Sequence, residues 1–485
     1  MTDTENKESS WIQVAQNELF QGWQRWASFA CIWVWTCLSG VLSSSSPMVQ
    51  QLPGPLAYPN DIILYASVTS LFVALLFSKK IKTIVRNRAA MVVAGLILAI
   101  GTILASAGII FDQLVWFIVG SFAGGFALSP LKIAWGEMYS SMKLQRGLVS
   151  MGYSLLFSMI LVLLVHSLPL EVVAIVNIAA ALTCAHLVFN GTAKIAGSMK
   201  KEEHVSGSIT FSFSLLILPA IVALSYGLVK GIMIGLPANE MDEVMLSGNY
   251  ADCLVGVIML FFAYKLGKKI GPAQVYSAAL ICTAAGLLLL SSQSVAPWLS
   301  FFIHDVGFTL FYFFMVVYWG DLSWRTGMPI VHVYTIGYFT FQLLNAVGSF
   351  LGVFINGTQS QNQTMMIVLS IVLGLFVVVL LLFGNDRSSL RQWLIADIPI
   401  VEVDDEIPQA CSEISGVYSL SPREQEVLGL LARGRTANYI ARALYISPDT
   451  AKTHIKNIYR KLDVHAQQDL MDIIESTAKN QQGLH

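Results

Sequence analysis

Ser447-Pro448-Asp449-Thr450-Ala451-Lys452-Thr453-His454-Ile455-Lys456-Asn457-Ile458-Tyr459-Arg460-Lys461-Leu462 reads as a short basic amphipathic helix with its own start signal. Ser447 can accept hydrogen bonds from the first free backbone N–H groups, and Pro448 suits the first helical position, where no N–H is needed. Ala451, Ile455, Ile458 and Leu462 recur at steps of 4, 3 and 4 and predict one buried stripe. Lys452, Lys456 and Arg460 recur at steps of 4 on another face. One face in a small core and a cationic face in water suit a helix that enters a DNA major groove.

The flanking residues supply a small helical domain. Ser421-Pro422-Arg423-Glu424 is a capping box, followed by Val427, Leu428, Leu430 and Leu431 as an apolar face and Gly434 as a left-handed C-cap. Thr436 can cap a second helix carrying Ile440 and Ala441, and a last helix over 467–477 carries Leu470, Ile473 and Ile474. Between 421 and 463 there are eight Lys or Arg against four Asp or Glu, a local excess of +4 in a chain of net charge −1.

This segment resembles the LuxR-type (GerE- or FixJ-like) four-helix DNA-binding domain. The residues that carry the resemblance are Leu420-Ser421-Pro422-Arg423-Glu424, Glu426-Val427-Leu428, Gly434, Ile440-Ala441, Ile446-Ser447, Thr450, Lys452, His454, Ile458, Lys461-Leu462 and Val464. Ala451 departs from the family, which usually has Val there. The resemblance implies that Lys452, Thr453 and Lys456 face the groove, with Ser447 and Thr450 at the helix start. Arg460 and Lys461 are expected at phosphates, which position the helix without reading sequence. It also implies a homodimer paired through the C-terminal helix, on double-stranded DNA with an inverted repeat.

Upstream the composition changes. The chain has 485 residues, 55% hydrophobic and 12% charged, with a mean hydropathy of +0.64. Those values belong to polytopic helical membrane proteins. Residues 386–415 read as a linker with an acidic patch, Val401-Glu402-Val403-Asp404-Asp405-Glu406, and breakers Pro399 and Pro408. The expected division is 1–385 in the lipid bilayer, 386–415 as linker and 416–485 as the DNA-binding domain. Twelve charge-poor runs are long enough to span: 26–46, 61–78, 89–111, 114–136, 147–166, 170–190, 209–234, 249–266, 271–292, 296–320, 330–356 and 364–384. The first is too long for a signal-peptide core and reads as a retained span.

With the N-terminus cytoplasmic, the inner loops hold Lys79, Lys80, Lys82, Arg86, Arg88, Lys143, Arg146, Lys194, Lys200, Lys201, Lys268, Lys269 and Arg325. The outer loops, including 47–60 and 236–248, hold no Lys or Arg, but Asp61 at an edge, Asp112, Glu240, Asp242 and Glu243. This positive-inside bias predicts an inner (cytoplasmic) membrane protein of a bacterial cell with both termini in the cytoplasm, where DNA is found.

A weak internal repeat sits six spans apart. Ala134-Trp135-Gly136-Glu137 matches Tyr318-Trp319-Gly320-Asp321, and Lys79-Lys80 matches Lys268-Lys269, with the longest loop, 191–208, between the halves. Two six-helix halves suit a transporter-like bundle. Together with Leu266-Gly267-Lys268-Lys269-Ile270-Gly271-Pro272, they resemble the major facilitator superfamily. The first-half counterpart, Lys79-Lys80-Ile81-Lys82-Thr83-Ile84, lacks the Gly and Asp of that family's loop, which speaks against active transport.

Ionisable residues inside spans mark candidate sites: Lys132, Asp252, Lys230 and His304-Asp305, the last pair followed by Phe311-Tyr312-Phe313-Phe314 and Tyr318-Trp319. An acid, an imidazole and rings such as Tyr312 around a central cavity suit a small aromatic or cationic ligand. Alternatively, His304 and Asp305 satisfy one another or a neighbouring helix, and the rings face lipid. Glu137 and Asp321 end their spans, where a carboxylate is unfavourable unless paired. They form either a latch between the halves or a simple ion pair.

The six cysteines contain no CxxC, and HExxH, GxSxG and Walker-type loops are missing. No catalytic residue, metal or cofactor is expected. The sequence therefore predicts an all-α, membrane-embedded, one-component transcription regulator that senses a small molecule. The alternative is an active transporter of the facilitator type with a regulatory DNA-binding tail.

Overall fold

A computed structural model describes residues 14–477 except 53–55, 57–59, 78–86, 140–141, 143, 200–213, 235, 237, 266–271, 292–294, 327–329, 357–405, 433–439, 442–443, 445, 465–468, 472 and 475–476. The expected span 364–384, most inner-loop cations, Gly434 and Thr436 lie outside the described residues. Contacts divide the chain into two units, Met1–Ser198 with Ile209–Leu390 and Met199–Ser208 with Arg391–His485.

The first unit is all helical among the described residues. Its long helices are α1 (Trp23–Ser44), α2 (Asp61–Leu76), α3 (Arg88–Ile110), α4 (Leu114–Tyr139), α5 (Leu144–Val165), α6 (Leu170–Met199), α7 (Ser214–Met233), α8 (Ala238–Lys265), α9 (Pro272–Ser291), α10 (Pro297–Thr326) and α11 (Ile330–Asn356). Nine described helices are long and apolar enough to cross a membrane, and two shorter ones lie within α2 and α9. This is a membrane protein by the length and composition of its helices.

Two expected loops are shorter than read. Residues 238–248, placed in an outer loop, form the start of α8, and α6 runs on to Met199 through much of the loop expected at 191–208. Polarity misled the reading: Glu240 stands in the first turn of α8, where a carboxylate favours the positive end of the helix.

Packing partners repeat with a step of six helices. In the first half α1 packs on α5, α2 on α4 and α3 on α4; in the second, α7 packs on α11, α8 on α10 and α9 on α10. The halves meet through α5 with α8 and, in the equivalent exchange, α11 with α2. Small residues allow this closeness, as helices inside lipid associate by van der Waals fit. A Cβ on Gly227 of α7 would collide with the carbonyl oxygen of Asn345 on α11, and one on Gly286 of α9 with the His304 amide nitrogen on α10.

Helix α10 is the most enclosed, with 89% of its apolar window buried against 39–67% for the other spans. Phe311, Phe313 and Phe314 are fully buried and Tyr312 is 5% exposed, so these rings face protein rather than lipid.

The second unit is a compact helical core. Helices α12 (Glu406–Val417), α13 (Pro422–Leu431) and α14 (Pro448–Leu462) close around Ala410, Cys411, Ile414, Val427, Leu428, Leu431, Ile440, Ala451, Ile458, Leu462, Leu470 and Ile474. Burying each larger aliphatic chain contributes about 1.5–3 kcal/mol. The expected linker 386–415 is thus too long at its C-terminal end. Residues 406–415 are helical, and Ala410, Cys411 and Ile414 belong to the core.

Candidate functional site

The basic helix α14 starts where its sequence signals it. The Thr450 amide donates to Ser447 Oγ at 3.0 Å, and the two hydroxyls are 2.8 Å apart. It ends at Asp463 in the left-handed conformation, φ 55°, and the Val464 amide closes the turn on the Tyr459 carbonyl at 3.0 Å. Ala451, Ile458 and Leu462 are buried as the stripe predicts, and Ile455 packs against the same core. Asp449, Lys452, Thr453, Lys456 and Arg460 are exposed, and their spacing gathers them into one continuous face.

On that face Lys456 and Arg460 make no ion pair among the described residues. Lys452 meets Asp449 at 3.4 Å with both side chains largely exposed, a contact worth at most a few tenths of a kcal/mol and easily exchanged for a phosphate or base edge. Thr453 Oγ1 donates to the Asp449 carbonyl at 2.8 Å.

Lys461 departs from its expected role at a phosphate. Its ammonium donates to Glu424 Oε2 at 2.8 Å and to the Ser419 carbonyl at 2.9 Å, so it braces α14 against the start of α13. One position beyond Arg460 on a helix points about 100° away, which turns Lys461 inward. Glu424 also completes the capping box, accepting from the Ser421 amide at 2.8 Å while its own amide donates to Ser421 Oγ at 3.3 Å. The Lys461 ammonium, with the Ser421 bonds, holds the Glu424 carboxyl at about 2, below its usual 4.5. Arg423 adds a second tie, donating to the Leu444 carbonyl ahead of α14.

In the first unit the candidate ligand residues fall into two groups. His304 and Asp305 do not pair. His304 lies 3.2 Å from Ser225 Oγ on α7 through Nε2, and its buried Nδ1 has no hydrogen-bond partner. Asp305 turns towards α8, its Oδ2 3.3 Å from where a Cβ on Gly248 would stand. Consecutive helical residues diverge by about 100°, which separates the two.

Asp252 of α8 joins Asp305. It accepts from Trp33 Nε1 of α1 at 2.8 Å and from Thr309 Oγ1 of α10 at 2.8 Å. Asp252 and Asp305 lie within electrostatic reach of one another, and Cys37, one turn beyond Trp33 on α1, lies within reach of both. Asp252 and Asp305 are each 5% exposed, and Asp305 has no hydrogen bond or ion pair among the described residues.

Rings line the same place. Tyr226 stacks on Phe308 at 3.6 Å, Phe308 on Tyr312 at 6.2 Å and Tyr312 on Trp33 at 6.2 Å. Lys132 on α4 is half-buried, with no hydrogen bond or ion pair among the described residues, and nothing brings it to this cluster.

Glu137 and Asp321 are 4% and 3% exposed, and each interacts with neighbouring groups. Neither ends its helix: α4 continues to Tyr139 and α10 to Thr326, so the helix-terminus argument for Asp321 falls away. Glu137 adjoins Gly136, against which the Tyr334 ring of the second half packs.

Three constellations escaped the sequence reading. Trp33 and Thr309 satisfy Asp252; an indole N–H inside a span was the available signal, since it requires an acceptor. Asp61, expected at a loop edge, is fully buried in an ion pair with Lys230 of α7 and accepts from Ser349 of α11 at 3.2 Å. Glu18 is fully buried between Arg25 at 2.6 Å and Arg146 at 2.8 Å.

Residues 418–474 match the family described as bacterial regulatory proteins, luxR family. An uncharacterized response regulatory protein, YgeK, of Escherichia coli is 44% identical over 66 residues, 13% of this chain and 45% of that protein. The transcriptional activator protein CarR of Pectobacterium carotovorum is 58% identical over 45 residues, 9% of this chain and 18% of that one. The chain therefore spans less than half the length of these relatives. The human organic anion transporter MFSD10 (TETRAN) is similar in structure, with a TM-score of 0.50 at 13% identity over 73% of this chain and 96% of that one, a likeness of fold alone. The C-terminal domain belongs to the luxR family of bacterial regulatory proteins, and it shares its chain with a unit of long apolar helices similar in fold to that transporter.

Proposed function

We propose that the protein is a one-component transcription regulator embedded in the inner membrane of a bacterial cell, with both termini in the cytoplasm. The transmembrane unit receives a small molecule around Asp252, Asp305 and Tyr312, with His304 alongside, and the C-terminal domain binds specific double-stranded DNA. Lys452, Thr453 and Lys456 read the major groove, Ser447 and Thr450 fix the helix start, and Arg460 contacts phosphate. Lys461 acts through Glu424 as a positioning residue. A homodimer paired through the C-terminal helix would recognise an inverted repeat. Glu137 and Asp321 sit where movement between the halves would be felt.

The observation that carries this reading is a luxR-family domain with an exposed cationic face, in one chain with a membrane unit that encloses Asp305, a buried carboxyl without a partner among the described residues. Moving a two-state equilibrium from 1:99 to 99:1 requires the ligand to favour one state by about 5.5 kcal/mol. The test is selection of DNA from a random pool by the full chain in nanodiscs. One enriched motif is expected, absent for the Lys452→Ala/Lys456→Ala double variant. Recovery of no preferred sequence, or of the same motif by the double variant, rejects the reading.

A further inference from the structure

The centre of the membrane unit holds two buried carboxyls, Asp252 and Asp305, that face no cation among the described residues. A carboxylate inside a bilayer-spanning bundle ordinarily faces a cation, a donor set or a water-filled path. Asp61 and Glu18 follow that rule, each with its own cation. Asp252 meets it with donors alone, and Asp305 does not meet it among the described residues. Two hydrogen-bond donors, Trp33 and Thr309, serve Asp252, whereas Asp305 has neither donor nor cation among the described residues and lies within electrostatic reach of Asp252. Lys132, the half-buried cation without a described partner, does not join them.

The surroundings of this pair suit one chemistry. Asp305, Phe308, Thr309 and Tyr312 recur at steps of 3, 1 and 3, so they share one face of α10. A carboxylate thus continues directly into a run of ring faces completed by Tyr226 and Trp33. Ring faces are negative at their centres and attract ammonium groups. Asp305 Oδ2 packs against Gly248, where a Cβ would stand 3.3 Å away and push the carboxyl aside.

We propose that Asp305, with Asp252 beside it, receives the ammonium group of an organic amine whose aromatic or apolar body lies along Phe308, Tyr312 and Trp33. The proposal rests on the reading of the membrane unit as the ligand-receiving part, and it names the class of ligand. It also supplies a coupling step. Trp33 belongs to the first half and Asp252 to the second, so their hydrogen bond ties the halves together at the centre. An ammonium that takes Asp252 competes with the Trp33 indole and loosens that tie, giving the ligand the unequal affinity for two states that a switch requires.

The test uses the full chain in nanodiscs, with thermal unfolding followed against a matched set: benzyltrimethylammonium, 2-naphthylmethylammonium, benzyl alcohol and phenylacetate. The two cations should raise the melting temperature in a saturable way, and the alcohol and the carboxylate should not. Asp305→Asn should weaken the cations at least tenfold while melting no lower than the parent. Gly248→Ala, which keeps both carboxylates, should weaken the bulkier naphthyl cation more than the benzyl one. Trp33→Phe, which frees Asp252, should strengthen binding of both.

Equal stabilisation by the alcohol and the amines overturns the proposal. So does undiminished binding to Asp305→Asn, or stabilisation by sodium ion alone with none from the organic cations. A promoter reporter in cells that express the full chain separates the two readings. Saturable amine binding with no change in reporter output leaves the cation site standing and removes the regulatory function. Reporter response to phenylacetate but to neither cation does the reverse.

Discussion

Neighbouring cations on α14 have different work. Arg460 is exposed, and Arg460→Ala should weaken binding about equally on all sequences and lower the salt slope by about one. Lys456→Ala should cost about 1–3 kcal/mol on the preferred site and relax the preference at one base pair. Titrations of both variants at several salt concentrations check this. Lys461→Ala should instead lower the melting temperature of the domain and leave the salt slope nearly unchanged, since its ammonium is spent on Glu424 and Ser419. Glu424 adds a pH signature. Its carboxyl is held at about 2 rather than 4.5, so the stability it contributes is complete above pH 4.5 and is lost as the pH falls towards 2. Urea midpoints for a fragment from residue 400 to the C-terminus should fall through that window, and Glu424→Gln should flatten the fall.

At the level of elements, the helix preceding the family segment is part of the reader. The luxR-family match begins at 418, yet Ala410, Cys411 and Ile414 of α12 are buried in the same core. A fragment starting at 418 should be less stable than one starting at 400 by about 2–5 kcal/mol, the cost of emptying such sites, as urea unfolding would measure. Helix α14 was legible to the residue because its cap, its buried stripe and its charged face are all local signals. Helix α12 was not, because Pro408 and the acidic run before it resemble a breaker and a spacer, and only tertiary contact identifies its apolar side. Long apolar runs gave the spans, but polar residues at their ends hid the start of α8 and the continuation of α6. The partners of Asp61, Asp252 and Glu18 were out of reach for another reason: each bond joins segments remote in sequence, and nothing in the spacing of either segment names the other.

At the level of the molecule, the membrane unit is two halves tied at separate places. The Asp61–Lys230 pair joins α2 of the first half to α7 of the second, and the Trp33–Asp252 bond joins α1 to α8. Asp61→Asn should leave Lys230 as a buried charge short of its counter-ion and cost about 3–5 kcal/mol, seen as a lower melting temperature of the solubilised chain. Asp61→Asn with Lys230→Met should recover most of that loss, since removing both charges is far cheaper than removing one. The reader has no such dependence, because its core closes upon itself among the described residues. Such a core makes the domain portable. On the proposed function, the domain grafted behind a different sensor would keep its operator, and exchanging the membrane unit would change which signal is heard without changing which promoter answers.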